Sequence, residues 1–388
     1  MRTETCGAEA HTSSVGGSEL IRKEGTKVLK TYKYKLEPNK HQRSLLERTL
    51  DVCRELHNLC LEQRQYQRIH RFEQDKQLTA LKKEFPQFKE VHCDVLQNVI
   101  KRLQYTFDNF FRGAGFPRFK SKTRYNSFAY KSTGFKLCGR YLQLSKVGNV
   151  KVRLSREIPE NAVIKTCSIK KTVSGWFAFF VIDVPIQPLP ASETVVGIDV
   201  GVVQYATFSD CSDPIPNPRF YETAQAELRR AQRRVARRKK GSNRRRKAVV
   251  LLKKLHEHIA NKRSDFLHKQ TTALVRKYGT IVVENLNISG MAQGNCAKQV
   301  LDASWGTWLR MLVWKAASAA RRVIAVDPKY TSQTCPACGY KDRKNRPTQA
   351  EFRCLECGLE ANADWVGATN ILARMEPSFA NASAVMLA

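Results

Sequence analysis

Two cysteine pairs near the C-terminal end constrain this chain's fold more tightly than any other feature. Cys335-Pro-Ala-Cys338 and Cys354-Leu-Glu-Cys357 are separated by fifteen residues, and a glycine follows each pair, Gly339 and Gly358. One tight turn presents two thiolates, and two such turns at this distance can close a tetrahedral site of four sulfurs. The glycines permit the bends, since glycine adopts φ > 0 without steric penalty. Four thiolates select Zn²⁺ and leave no open coordination position, so the expected ion is structural. Disulfides or redox pairs are the alternative reading of the same residues. The span between the pairs is basic, with Lys341, Arg343, Lys344 and Arg346. The expected zinc ribbon is therefore a small platform for nucleic acid.

The charge balance points the same way. Lys and Arg number 67 against 35 Asp and Glu, a formal net charge of +32. A compact chain with that excess repels itself and needs a polyanionic partner. Nucleic acid is the first candidate, because neutralising phosphates releases condensed counterions; an anionic membrane surface is the second. No run of about 18 apolar residues is present, so no membrane span is expected. Residues 1–26, rich in Thr, Ser, Gly and Glu, lack an apolar h-region and read as a disordered leader rather than a secretory signal. Residues 376–388 read as a flexible tail. The scattered Cys6, Cys53, Cys60, Cys93, Cys138, Cys167, Cys211 and Cys296 read as thiols in a reducing compartment, which implies a cytoplasmic, nucleoid-associated protein.

Hydrophobic periodicity sets the organisation. Lys27–Leu36 alternates like a half-exposed strand. From His41 to about Phe111 the pattern is helical: Leu45, Leu46, Leu50, Cys53, Leu56, Leu59 and Cys60 form one face, and Val95, Leu96, Val99, Ile100, Leu103 and Phe107 a second. Between Gly115 and Lys131, the rings of Phe116, Phe119, Tyr125, Phe128 and Tyr130 interleave with Arg118, Lys120, Lys122, Arg124 and Lys131. That composition suits a nucleic-acid surface; the alternative is a basic loop whose rings are core. Tyr141–Asp183 alternates like antiparallel strands, and Pro185, Pro188 and Pro190 mark a domain boundary.

Thr194–Asp210 then reads as strand, tight turn at Gly201 and returning strand. Ala224–Leu255 reads as a basic helical stretch carrying Arg229, Arg230, Arg233, Arg234, Arg237, Arg238, Lys239, Lys240, Arg244, Arg245, Arg246 and Lys247, interrupted at Gly241-Ser242-Asn243. Such a run is a solvated face or a nucleic-acid arm; the net charge favours the arm. A separate helix over Ile259–Tyr278, a strand over Thr280–Leu286, a helix over Trp305–Ala320 and a strand over Arg321–Asp327 complete an α/β pattern.

Three acids stand out in that part. Asp199 follows the apolar run VVGI, Glu284 ends the run IVV, and Asp364 begins the amphipathic segment DWVGATNILAR. An acid at the end of an apolar strand is expensive to bury without a partner. A divalent ion is such a partner, and two Mg²⁺ ions about 4 Å apart require carboxylates from separate elements. Singly, each acid reads as a cap or ion-pair partner, Asp364 as a helix cap.

The ordered set GIDVG (197–201), VVENLN (282–287), YTSQTCPACG (330–339), FRCLECG (352–358) and NADWVGATNIL (362–372), with TYKYKLEPNKHQ and PRFKSK before it, resembles the transposon-encoded TnpB, or OrfB, family over about residues 28–375. That family is related to the type V CRISPR effectors. The resemblance implies an α/β plus β fold. A wedge β-barrel would span 27–190 with a helical recognition insertion at about 40–112. An RNase H-like (RuvC) nuclease domain would span 191–333 and 359–375, with the zinc ribbon inserted at 334–358.

It also implies an RNA-guided, Mg²⁺-dependent DNA endonuclease, most simply monomeric, whose partners are a guide RNA and a double-stranded DNA target. Asp199, Glu284 and Asp364 match the family's catalytic, metal-holding acids. Cys335, Cys338, Cys354 and Cys357 match its zinc ligands. Val366 stands where the family has Asn, and Val203 where it often has Lys. Relatives without the acids act as RNA-guided repressors, so binding without cutting is one alternative. A zinc-ribbon nucleic-acid-binding protein without a guide is the other.

Overall fold

The computed structural model describes residues 27–159, 162–186 and 188–375. The expected leader (1–26, with Cys6) and tail (376–388) lie outside the described residues. The chain divides into two compact units, one over Gly25–Pro185 and one from Ile186 onward.

In the first unit β1 (Lys27–Glu37) leads into α1 (Lys40–Tyr66), α2 (Arg71–Glu84) and α3 (Cys93–Phe111). Asn39 caps α1 through a reciprocal pair with Gln42, which satisfies two of the amides left unbonded at a helix start. The apolar faces read from the sequence are the buried ones: Leu46, Leu50, Cys53, Leu56 and Cys60 of α1, and Val95 to Phe107 of α3. Six more strands follow: β2 (Ser127–Lys131), β3 (Phe135–Cys138), β4 (Tyr141–Leu144), β5 (Gly148–Arg153), β6 (Val163–Thr172) and β7 (Gly175–Pro185). Strict alternation along β7 buries Trp176, Ala178, Phe180, Ile182 and Val184 against the helices.

The antiparallel order is β2-β6-β7-β1-β5-β4-β3. The edge strands β2 and β3 do not pair, so the expected barrel is an unclosed ladder. Yet only Ser132–Gly134 joins those edges, and three residues reach at most about 10 Å. The sheet therefore curls so that the end of β2 and the start of β3 lie close together.

The second unit holds a five-stranded mixed sheet. β8 (Val195–Asp199) turns back into β9 (Gln204–Phe208), which pairs with the short β10 (Ile215–Pro216). Next come α4 (Phe220–Ala236) and α5 (Asn243–Lys277), then β11 (Thr280–Glu284), α6 (Ile288–Met291), α7 (Ala297–Ala303), α8 (Trp305–Ser318) and β12 (Arg322–Val326). A small hairpin, β13 (Glu351–Arg353) and β14 (Glu360–Asn362), precedes α9 (Ala363–Ala373).

The sheet order is β10-β9-β8-β11-β12, with β8, β11 and β12 parallel. Both faces of the parallel strands are covered, which is why their sequences are continuously apolar. Val196, Ile198, Ile281 and Val283 join the core with α5, α7 and α8, while Val282 and Val326 face Ile371 of α9. α9 lies so close to β8 that a Cβ at Gly197 would sit 2.2 Å from the Ala368 carbonyl oxygen; only glycine fits there.

One sequence expectation changes. The helices expected over 224–255 and 259–278 divide only at Gly241, where φ is +82°; from Asn243 to Lys277 there is one helix of 35 residues. Nothing between Leu255 and Ile259 is a Gly or Pro, so no local signal stops the helix. No helix among the described residues is long and apolar enough to cross a membrane.

Candidate carboxylate site and zinc ribbon

The four cysteines converge. Their sulfurs all lie within 4.8 Å of one another, with 3.6 Å between Cys335 and Cys357 and between Cys338 and Cys354. A tetrahedron with Zn–S bonds of ~2.3 Å has edges of about 3.8 Å, whereas a disulfide brings sulfurs to ~2.05 Å. The cluster fits structural zinc, and no disulfide forms among the described residues. The two turns are built alike. Gly339 N–H donates to Cys335 O and Cys335 N–H to Tyr340 O, while Gly358 N–H donates to Cys354 O and Cys354 N–H to Leu359 O. Gly339 and Gly358 hold φ of +75° and +73°.

Asp199 and Glu284 are the last residues of neighbouring parallel strands. Val283 lies opposite Ile198, so the two acids leave the sheet side by side at its C-terminal edge. Asp364 enters from the first turn of α9, which packs on β8. It is not the helix cap: Asn362 Oδ1 accepts from the N–H groups of Asp364 and Trp365. Burial, then repulsion from Glu284 and Asp364, raises the Asp199 pKa to about 8. Burial also raises Glu284 and Asp364, opposed by the Thr331 hydroxyl and by Arg346 respectively. Gly367 brings the α9 backbone against this group; a Cβ there would stand 2.9 Å from Asp199 Oδ2. Among the described residues only the cysteines gather their donor atoms within 4.8 Å, so the carboxylates are the looser group. Carboxylate oxygens are hard donors, the ligand type that Mg²⁺ takes.

Two side chains that drew no such role from the sequence touch the acids. Arg346, from the loop between the cysteine pairs, reaches Asp364 Oδ1 at 3.3 Å. Thr331 donates its hydroxyl to Glu284 Oε1 at 2.5 Å. Asn370 of α9 holds the segment carrying Thr331 by donating to the carbonyls of Thr331 and Thr334, each at 2.7 Å. Thr334 precedes Cys335, so one backbone runs from Glu284's partner directly into the zinc cluster.

The basic segments sort by environment. Phe128 and Tyr130 are core residues of β2, since their period-two spacing aims both inward; Tyr125 packs against His57. Only Phe116 and Phe119 of the five rings remain exposed. Lys122 pairs with Asp51 at 2.7 Å, the main chain of Lys120 bonds Asn58, and Arg118 and Arg124 are exposed without an ion pair among the described residues.

On α4, Arg230, Arg233, Arg234, Arg237 and Arg238 line one groove, and Arg244 and Lys247 of α5 join Arg234 and Arg238 beside it. Arg229 is exposed, and none of these residues pairs with a carboxylate among the described residues. Arg245 is different. Its Nη1 donates to the carbonyls of Val235 and Arg238, at 2.8 and 3.0 Å, closing the C-terminal end of α4. Arg246 donates to Gly241 O. Arg245, one of the arginines expected on the nucleic-acid arm, thus also locks the α4–α5 joint.

The OrfB_IS605 family model, described as "Probable transposase", matches residues 178–295. Models described as "Helix-turn-helix domain" and "Cas12f1-like, TNB domain" match 26–71 and 305–371. "Putative RNA-guided DNA endonuclease InsQ" of Escherichia coli (strain K12) is 31% identical across 89% of this chain and 92% of its own. This chain belongs to the OrfB, TnpB-type family. A "Putative RNA-guided DNA endonuclease" of Streptomyces pristinaespiralis is 33% identical over 89% of both chains. The Cas12f1 chain of the "Cryo-EM structure of the Cas12f1-sgRNA-target DNA complex" shares the fold, with a TM-score of 0.58 and 12% identity over 89% of this chain and 98% of that one.

In this TnpB-type chain Val366, which replaces the family's Asn, is fully buried with Cys335, Phe352, Cys354 and Ala363. It serves the ribbon's core. The α9 residue against Asp199 is Gly367.

Proposed function

We propose that the protein is an RNA-guided, Mg²⁺-dependent DNA endonuclease with an RNase H-like, RuvC-type nuclease domain. The observation that carries this reading is the meeting of Asp199, Glu284 and Asp364, from two parallel strand ends and a helix start, with their pKa values raised. Perturbed acids gathered from separate elements are characteristic of reactive sites. The strand order, three antiparallel strands continued by two parallel ones, supports the RNase H-like reading. The rolled sheet with helices inserted after its first strand supports the wedge and recognition reading. The names of the relatives support guide RNA and DNA as partners.

Bound Mg²⁺ would activate water and stabilise the leaving oxygen of the phosphodiester. Asp199, which feels both other acids, would be one of the residues holding the metal. Glu284, with Oε1 engaged by Thr331, keeps Oε2 for coordination. Asp364 would complete the site, and Arg346 offsets its charge. Cys335, Cys338, Cys354 and Cys357 hold the ribbon that carries Arg346.

The test is purification with native RNA, followed by matched DNA and Mg²⁺. We expect one enriched RNA species and cleavage that EDTA abolishes. Guide-directed binding without cutting in any divalent metal would make the protein a repressor. Absence of an enriched RNA would leave only a nucleic-acid-binding ribbon protein.

The groove on α4 has its own expected result. Like charges three and four residues apart destabilise a helix by ~0.2–0.5 kcal/mol per pair, and a phosphate backbone relieves this. Replacing Arg230, Arg233, Arg234 and Arg237 together by Ala should lower the slope of log K against log [salt] by about 3. The cleavage rate of the fully assembled complex should stay unchanged. An unchanged slope would remove this groove from the nucleic-acid surface.

A further inference from the structure

Tyr330 has no part in the site described so far, and its conformation needs a reason. It lies between β12 and the first cysteine pair with φ of +63°, a left-handed backbone that bulky residues rarely adopt. Such strain persists only where neighbours over-determine it, and here they do. The Tyr330 carbonyl accepts from Gln333 N–H at 3.1 Å, Thr334 N–H at 3.2 Å and Thr334 Oγ1 at 2.9 Å. The next residue is fixed by Glu284 on its hydroxyl and Asn370 on its carbonyl. The frame is rigid, yet the ring it aims is 51% exposed. Core packing therefore does not repay the strain. Lys341 reaches over the ring, its Nζ 4.3 Å from the centroid.

We propose that Tyr330 and Lys341 form a stacking subsite for an unpaired nucleobase of the DNA strand being cut, with Lys341 meeting a flanking phosphate. The inference rests on the endonuclease reading and adds the place where the substrate base sits. A base inside a duplex has both faces covered, so only an unstacked base offers one to a protein ring. Tyr330 is adjacent in the chain to the hydroxyl that touches Glu284. A base on its ring thus brings the neighbouring phosphodiester within about one nucleotide step of the carboxylates. Stacking tolerates any base, which suits a site where a guide, not the protein, reads the sequence.

The test uses the full chain with its guide RNA and matched DNA carrying 2-aminopurine at successive positions around the cut. Ca²⁺ replaces Mg²⁺ to hold the complex before cleavage. We expect fluorescence quenching at one or two adjacent positions, lost in Tyr330→Ala and kept in Tyr330→Phe and Tyr330→Trp. In Mg²⁺ the Ala variant should cut about 5- to 150-fold more slowly, with unchanged zinc content and target affinity. Absence of quenching at every position in the wild type, or quenching and rate unchanged in Tyr330→Ala, overturns the proposal. The two readings fail separately. Asp199→Asn should abolish cutting and keep the quenching, and Tyr330-dependent quenching in a protein that never cuts would refute the endonuclease reading alone.

Discussion

Asp199→Asn should lower cleavage of guide-matched DNA by about 1,000-fold or more, with guide and target binding essentially unchanged. The substitution keeps the shape and removes the one carboxylate that feels both others. The same residue sets a pH dependence. Burial and its two acidic neighbours hold Asp199 protonated up to about pH 8 in the metal-free protein. A divalent ion must displace that proton. At limiting Mg²⁺ the cleavage rate of the wild type should therefore rise by up to about tenfold per pH unit, levelling above about pH 8. Stability moves the other way. A folded pKa above the unfolded value means the folded state holds the proton more tightly. The contribution is full below the unfolded value of 3.8 and is lost as pH rises through about 8. The metal-free wild type should thus lose melting temperature between about pH 4 and 8, and Asp199→Asn should be higher by a few degrees at pH 8.5. Cleavage surviving in the Asn variant would sink the assignment of these acids.

The sequence carried the parts of this site that depend on short spacing. Two Cys-x-x-Cys turns declare themselves by residue type, and apolar strands ending in an acid do so by contrast. What it did not carry were contacts made across tens of residues by ordinary side chains. Arg346 looked like one more cation of a basic loop, and only the fold brings it to Asp364. Thr331 and Asn370 are common polar residues whose importance lies in the carboxylate and carbonyls they meet. Val366 follows Asp364 by two positions. On a helix that separation is about 200°, enough to turn the side chain from the acids into the ribbon's core. Phe128 and Tyr130 were ambiguous for the matching reason in a strand: a ring beside a cation marks a nucleic-acid surface only if both face outward, and period two decides that. The helix over Asn243–Lys277 shows that a polar stretch without a breaker continues a helix even where its apolar face is faint.

Removing zinc should be as damaging to cleavage as removing an acid, although zinc touches no substrate in this reading. The ribbon's core is very small: Cys335, Phe352, Cys354, Ala363 and Val366. So few apolar side chains cannot order a loop this long without a staple. Zinc binding supplies an apparent ~10–16 kcal/mol in small zinc-dependent domains, far more than this core provides. Two of those core residues belong to the cysteine cluster that fits zinc and two belong to α9, so a bound metal would fix the helix start that presents Asp364. The loop it closes carries Arg346, and the segment entering it carries Thr331 to Glu284. Cys354→Ser, or exhaustive chelation with a zinc-selective ligand, should reduce cleavage by at least about 100-fold and expose residues 330–360 to protease. Salt-dependent binding through the α4 arginines should persist, and added Zn²⁺, unlike added Mg²⁺, should restore the chelated protein. Zinc content, protease mapping and cleavage followed together on one sample separate the alternatives. A zinc-free protein that cuts at the full rate would show that the carboxylates are held without the ribbon, and the path from Cys335 through Thr334 and Thr331 to Glu284 would carry no functional load.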